Sequence, residues 1–145
     1  MPSETIHVGP LGITFLIEGG DSNGSVATFE CTVPAGTGMP LPHSHDGYEE
    51  TAYGLSGTVT FTVEGERVDI GPGDVFCIPR GAVHAFRNEG DDDARMLAIV
   101  TPGVLGPDFF REAGAVVAES QGPPDPAKMG AVMRRHGLTP RPDKL

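Results

Sequence analysis

The chain has 145 residues, of which 38% are hydrophobic and 6% aromatic, and its formal net charge at pH 7 is −10. This length suits one domain with one hydrophobic core. A surface with this much negative charge repels phosphate backbones and anionic membranes, so we expect neither nucleic acid nor a membrane as a partner. No charged segment followed by an apolar stretch opens the chain, and no apolar run approaches the ~18–20 residues of a membrane span. We therefore expect a cytoplasmic location.

Short apolar segments alternate with turns between residues 13 and 101, and the chain as a whole contains 21 Gly and 14 Pro. Val59, Phe61 and Val63 alternate with threonines, which is the period of a half-buried strand. Similar patterns predict strands, in chain order, at residues 13–17, 25–33, 50–55, 58–63, 66–70, 75–78, 83–87 and 95–101. So many short strands between frequent turns predict an all-β sandwich or closed barrel.

The composition changes after residue 101. Residues 107–119 have apolar side chains at helical spacing, and residues 121–124 are typical of a linker. We interpret residues 1–120 as a β-barrel domain with flanking strands and a short helix. We interpret residues 121–145 as a linker followed by a C-terminal helix that packs on the barrel.

This last helix has clear boundary signals. Asp125 suits the N-cap, Pro126 the first helical position and Gly137 the C-terminal cap. Apolar residues at i, i+3 and i+4 form a stripe that comprises Met129, Val132 and Met133. The stripe either packs on the barrel or forms a lid over a pocket. Packing is favoured, because amphipathic helices gain most of their stability by burying such a stripe.

Histidines and carboxylates are concentrated in two local patterns. His43 and His45 are two residues apart, so in an extended segment both imidazoles point to the same side. The acidic pair at residues 49–50 follows shortly after. His84 follows a tight Pro-Gly turn and begins a predicted strand. Three imidazoles and one carboxylate suit a borderline divalent metal ion, and an octahedral ion would keep two positions for water, dioxygen or substrate.

These residues resemble the two signature motifs of the cupin superfamily. The first motif comprises His43, His45, Glu50 and Gly57, and the second comprises Gly73, Pro79, Gly81, His84 and Asn88. The resemblance is to small single-domain cupins of the quercetin-dioxygenase type. It implies a double-stranded β-helix, or jelly-roll barrel, here with one or two C-terminal helices, and a homodimer.

The resemblance also implies a ligand set for one divalent metal ion, which would be Fe, Mn, Ni, Co, Cu or Zn. The metal ligands are expected to be His43, His45, Glu50 and His84. Counting back from Gly57 selects Glu50 rather than its neighbour Glu49.

Strand alternation extends this expectation to the surrounding pocket. If Glu50 points inward, Ala52 and Gly54 also point inward, and because both are small the pocket beside the metal should be roomy. Phe86 lies on the same side of its strand as the third histidine, and Tyr48 is expected near the pocket mouth. A metal at one end of an apolar pocket suits a small aromatic or other oxygen-bearing organic ligand.

Three functions are compatible with such a site. The first, implied by the resemblance, is a dioxygenase in which Glu50 also acts as the catalytic base. The second is a non-redox isomerase or lyase that uses the metal as a Lewis acid. The third is a cupin that binds a small molecule without catalysis, because a fold does not determine a function. Few basic residues fall in the barrel segment, which favours an apolar organic substrate over a sugar.

Overall fold

The structure of the protein is a computed structural model that describes residues 4–39 and 41–144. This part of the chain forms strands β1 (Thr5–Val8), β2 (Leu11–Ile17), β3 (Ala27–Val33), β4 (His43–His45), β5 (Glu49–Ser56), β6 (Val59–Val63), β7 (Glu66–Ile70), β8 (Val75–Ile78), β9 (His84–Arg87), β10 (Ala94–Thr101) and β11 (Leu138–Pro140). Its two α-helices are α1 (Pro107–Glu119) and α2 (Pro126–Arg135), and a 3₁₀ helix spans Gly19–Ser22.

The strands form two antiparallel sheets. The six-stranded sheet has the order β1-β2-β3-β10-β5-β8, and the five-stranded sheet has the order β11-β4-β9-β6-β7. Inward side chains of both sheets and of both α-helices belong to one hydrophobic core. The prediction of an all-β jelly roll with C-terminal helices is confirmed, with two helices present.

The strand order brings segments that are far apart in the chain into contact. β10 lies between β3 and β5, so Ala98 is paired with Phe29 on one side and with Ala52 on the other. In β3, buried residues alternate with half-buried ones along the whole strand, as predicted for a sheet with one face on the core. The inner faces of these strands therefore form one wall of the barrel.

Three strands, β1, β4 and β11, were not among those predicted, although the residues of β4 were expected to be extended. Ile6 and Val8 of β1 are buried and alternate with exposed residues, but four residues are too few for a reliable periodic pattern. β11 has only three residues and ends in Pro140, which argues against a central strand. The proline is tolerated because β11 is the edge strand of its sheet.

Both helices occupy the predicted ranges. The Asp125 side chain accepts hydrogen bonds from the backbone N–H groups of Ala127 and Lys128 and so caps α2. The apolar stripe of α2 is buried, with Met133 fully inaccessible. Gly137 has φ +82°, a left-handed conformation that lets the chain turn from α2 directly into β11. No helix in residues 4–39 and 41–144 combines the length and the apolar character needed to cross a membrane.

Candidate metal centre

Two of the three motif histidines lie on the short strand β4. His43 and His45 are both buried, and their ring centroids are 5.1 Å apart. His84 begins β9, directly opposite His43 in the strand register. Its ring centroid lies 4.6 Å from that of His43 and 4.4 Å from that of His45. Strand pairing therefore brings the two sequence motifs together.

The three imidazoles are arranged as metal ligands would be. Each offers one nitrogen, and these nitrogens lie within 4.8 Å of one another, so the three residues could hold one metal ion. Nδ1 of His43 is 3.0 Å from the carbonyl oxygen of Leu41, and Nδ1 of His84 is 3.0 Å from that of Ala82. A carbonyl only accepts, so both Nδ1 atoms carry the proton and both Nε2 atoms keep a free lone pair.

Burial keeps these imidazoles neutral. It lowers the pKa of His43 to about 3, and the neighbouring His84 contributes in the same direction. Burial also lowers the pKa of His45 and of His84 below their usual range. The neutral imidazole is the form that binds a metal ion, so the site is prepared for one at neutral pH.

Strand alternation separates the two glutamates at residues 49–50 in the first motif. Glu50 points inward from β5 and is only 9% exposed, and its Oε1 lies 3.9 Å from Nε2 of His45. Burial raises the pKa of Glu50 to about 7. Glu49 points outward, where it forms an ion pair with the guanidinium of Arg80. Glu50 is thus beside the three histidines, although it does not belong to the cluster whose ligand atoms all lie within 4.8 Å.

A small cavity of about 40 Å³ adjoins the histidines. Its polar end is formed by the three imidazoles and Glu50, and most of the remaining wall is apolar. Phe29 and Cys31 contribute from β3, Phe109 from α1 and Leu138 from β11. A ligand in this cavity would have its polar group at the histidines and its apolar part against the aromatic wall.

Comparisons with known proteins agree with this geometry. The model of the Cupin_2 family, described as a cupin domain, matches residues 29–100. The quercetin 2,3-dioxygenase of Bacillus subtilis is 33% identical over 74 residues, which is 51% of this chain and 21% of that enzyme. This chain belongs to the cupin superfamily. It covers less than two thirds of the length of the curated relatives it matches.

Solved structures show the same fold. A predicted oxalate decarboxylase from Thermotoga maritima superposes with a TM-score of 0.63 and 25% identity, covering 70% of this chain and 93% of its own. A sugar phosphate isomerase of the cupin superfamily from Silicibacter pomeroyi gives a TM-score of 0.54 at 23% identity, covering 63% of this chain and 59% of its own. These names differ in chemistry, so the shared fold alone assigns no reaction to this cupin.

The structure of this cupin corrects part of what was expected of the pocket residues. Phe86 lines the cavity as expected. Ala52 and Gly54 do point inward, but neither is among the described residues that line the cavity, and Ala52 belongs to the core. A Cβ atom at Gly54 would lie 1.9 Å from the carbonyl oxygen of Gly71, so backbone occupies the expected space. The expectation of a roomy pocket beside these two small residues is wrong, because the chain packs against them.

Tyr48 has a different place from the pocket mouth. It is 1% exposed, and its ring stacks on the imidazole of His45 with a centroid distance of 4.4 Å. Its buried hydroxyl finds no hydrogen-bond partner among the described residues, and the same holds for Nδ1 of His45. Burial, with the negative charge of Glu50, raises the pKa of the Tyr48 hydroxyl well above its usual range. Tyr48 therefore packs against the face of the His45 ring and does not lie at the mouth of the cavity.

Sequence reasoning missed part of the cavity wall. Cys31 follows Phe29 by two residues, so the alternation of β3 places both on the inner face. Burial raises the pKa of the Cys31 thiol to about 12, which keeps it protonated. Phe109 lies in the predicted helix at residues 107–119, but no local pattern in the sequence indicates which surface this helix packs against. Leu138 lies in β11, which was not predicted.

Proposed function

We propose that this cupin binds one divalent metal ion through His43, His45, His84 and Glu50 and acts as a dioxygenase on a small oxygen-bearing organic substrate. The observation that carries the proposal is the convergence of three buried, neutral imidazoles beside a buried carboxylate, at the polar end of an apolar cavity. Over the segment that the two chains share, the likeness to a quercetin 2,3-dioxygenase supports the choice of oxygenase chemistry.

The donor set fits a borderline first-row ion. Three nitrogens and one oxygen suit Fe, Mn, Co, Ni, Cu or Zn, and the backbone hydrogen bonds of His43 and His84 hold both rings in the ligating tautomer. A divalent ion bound there supplies Lewis acidity toward a substrate oxygen and, where it is redox-active, electron transfer. Three neutral imidazoles and one carboxylate leave a net positive charge on such a centre, which attracts an anionic oxygen.

Glu50 is the proposed base. In the metal-free site, burial raises the pKa of this carboxyl to about 7. A bound cation would lower that pKa, so the carboxyl would be ionised near neutral pH and able to accept a proton, as general-base catalysis requires. Its Oε1 faces His45, so a proton from a substrate hydroxyl at the centre would pass to this carboxylate. Burial then keeps the protonated carboxyl away from bulk water.

The cavity sets a limit on the substrate. About 40 Å³ is far below the roughly 300–1,000 Å³ of pockets that enclose drug-sized ligands. The substrate is therefore small, or the wall moves to admit it. Met39 and Phe86 line both this cavity and an outer groove of about 410 Å³. Rotation of these two side chains would connect the groove with the histidines.

Metal analysis and oxygen uptake test the proposal together. Protein purified without chelators should contain about one transition-metal ion per chain, and the His43→Ala variant should lose it. Oxygen uptake should be measured on small phenolic and diketone substrates after loading with each candidate metal. Metal binding without uptake on any of them favours a non-redox isomerase or lyase. Protein that is metal-free and takes up no added divalent ion contradicts the proposal.

We further propose a homodimer, as the family resemblance implies. On the outer face of the six-stranded sheet, Tyr53 is 39% exposed and is paired with Val75, which is 62% exposed. Two exposed apolar side chains side by side are compatible with a subunit contact. Sedimentation velocity of the Val75→Glu variant tests this, because a charge in the contact should shift a dimer toward monomer.

A further inference from the structure

Strand β11 lies directly beside the strand that carries two of the histidines. Its register pairs Leu138 with His45, and Pro140 with His43. On the other side of β4, the register with β9 contains a single pair, His43 with His84. On that side the carbonyl oxygen of His45 also accepts a hydrogen bond from the backbone N–H of Gly81 over 2.8 Å, but only the second neighbour of β4, β11, is paired with all three of its residues. That neighbour comes from the far end of the chain.

Further hydrogen bonds hold β11 to the residues on either side of β4. The backbone N–H of Arg141 donates to the carbonyl oxygen of Pro42 over 2.7 Å, just before β4 begins. The backbone N–H of Asp46 donates to the carbonyl oxygen of Gly137 over 2.9 Å, just after β4 ends. The Thr139 hydroxyl donates to Oδ1 of Asp46 over 2.8 Å. Both ends of the histidine strand are thus held by the C-terminal segment.

The position of β11 is in turn held by the helices. Leu138 is 1% exposed and lines the cavity next to the imidazoles. His136, just before it, has Nε2 2.6 Å from a carboxylate oxygen of Glu112 on α1, and Arg135 donates to the same carboxylate. The strand is therefore anchored on α1 as well as on β4. A displacement of β11 would change both the cavity wall and the support of His43 and His45.

We infer that β11 is a positioning element of the metal centre, with Thr139 as its positioning residue, and that metal binding and the docking of β11 stabilise each other. The inference rests on the proposed metal site. Neither β11 nor Thr139 has to touch the ion, because they act through Asp46 and the ends of β4. Coupling between two sites is reciprocal, so an ion that needs the correct spacing of the histidines must also protect β11 from opening.

The test compares two threonines with the same chemistry in the same sheet. Thr139→Val removes the hydrogen bond to Asp46 and keeps a β-branched side chain. Thr60→Val removes an equivalent bond, from the Thr60 hydroxyl to Oδ1 of Asp69 over 2.7 Å, at the opposite edge of the sheet. Co²⁺ affinity should fall about tenfold in Thr139→Val, the lower end of the loss known for groups that bond metal ligands directly, because Thr139 acts through Asp46, the residue after His45. It should change less than about threefold in Thr60→Val, and Thr139→Ser should restore it.

The visible absorption of bound Co²⁺ adds a readout of ligand geometry. We expect its band positions to shift in Thr139→Val and to be unchanged in Thr60→Val and Thr139→Ser. Equal Co²⁺ affinity and identical spectra in the two valine variants would overturn the inference.

Hydrogen exchange of the unmodified protein provides a measurement that needs no variant to fold. Addition of Co²⁺ should slow exchange of the backbone amide of Arg141 and of those in β11, with little change in β7. Unchanged exchange in β11 under saturating Co²⁺ contradicts the coupling. If the wild-type chain takes up no Co²⁺, the proposed metal site and this inference both fail. If it binds Co²⁺ but β11 does not respond, the inference alone fails.

Discussion

Replacing Glu50 by Gln should change how the stability of the metal-free protein depends on pH. Burial raises the pKa of this carboxyl from its usual 4.5 to about 7. The folded protein therefore keeps the proton up to about pH 7, whereas the unfolded chain loses it near pH 4.5. Because the folded state holds more protons in this window, the free energy of unfolding must decrease as the pH rises through it.

The size of the effect follows from the two pKa values. Between about pH 5 and pH 8.5, a pKa of about 7 in place of 4.5 lowers the free energy of unfolding by about 2.5 kcal/mol. Gln has no charge to bury, so the Glu50→Gln variant escapes this loss. The three histidines titrate in both proteins and cancel from the difference to first order. The variant should therefore gain about 2.5 kcal/mol on wild type over this pH range.

Urea unfolding of chelator-treated protein measures the difference at each pH. Glu49→Gln is the matched control, because Glu49 is paired with Arg80 at the surface and its pKa lies below the usual range. A carboxyl that is mostly ionised in both states at pH 5 contributes little slope above it. Parallel stability curves for wild type and Glu50→Gln would refute the reasoning that Glu50 is buried as a poorly solvated carboxyl. Saturating metal should reverse the order and favour wild type, since a charged carboxylate binds a divalent ion more strongly than the neutral amide of Gln.

Three further predictions test the structure around the site. Phe109→Ala should lower the free energy of unfolding by about 3–5 kcal/mol, since Phe109 is 1% exposed, whereas Val104→Ala at a 61% exposed position should change it by about 0.5 kcal/mol or less. Asp125→Ala should cost about 1 kcal/mol through loss of the α2 cap, and Asp125→Asn should recover most of it. Tyr48→Phe should keep the stack on His45 and raise the free energy of unfolding by about 1 kcal/mol, because the hydroxyl is buried without a protein partner. Equilibrium denaturation measures all three, and a marked loss in Tyr48→Phe would show that the hydroxyl has a partner, such as an ordered water.

Most of the fold and the convergence of the histidines were accessible from the sequence. Period-2 alternation is a local property of extended chain, so it identified the long strands and placed His43 and His45 on one side of β4. The motif spacing, counted back from Gly57, selected Glu50 rather than Glu49, and in the structure Glu50 points inward and Glu49 outward. The start of α2 at Asp125 could also be predicted, because a helix cap is a local feature formed within a few residues.

The tertiary structure decided what lies beside the histidines. No local pattern indicates that backbone at Gly71 fills the space next to Gly54, or that Phe109 and Leu138 narrow the cavity. The pairing of β11 with β4 joins residues that are 93 positions apart at Thr139 and Asp46. Such contacts form only when the whole core is assembled, because each short strand gains its position from neighbours distant in the chain. The sequence by itself thus determined which residues can bind a metal ion, and long-range packing determined the size of the cavity and the support of the strand that carries two of them.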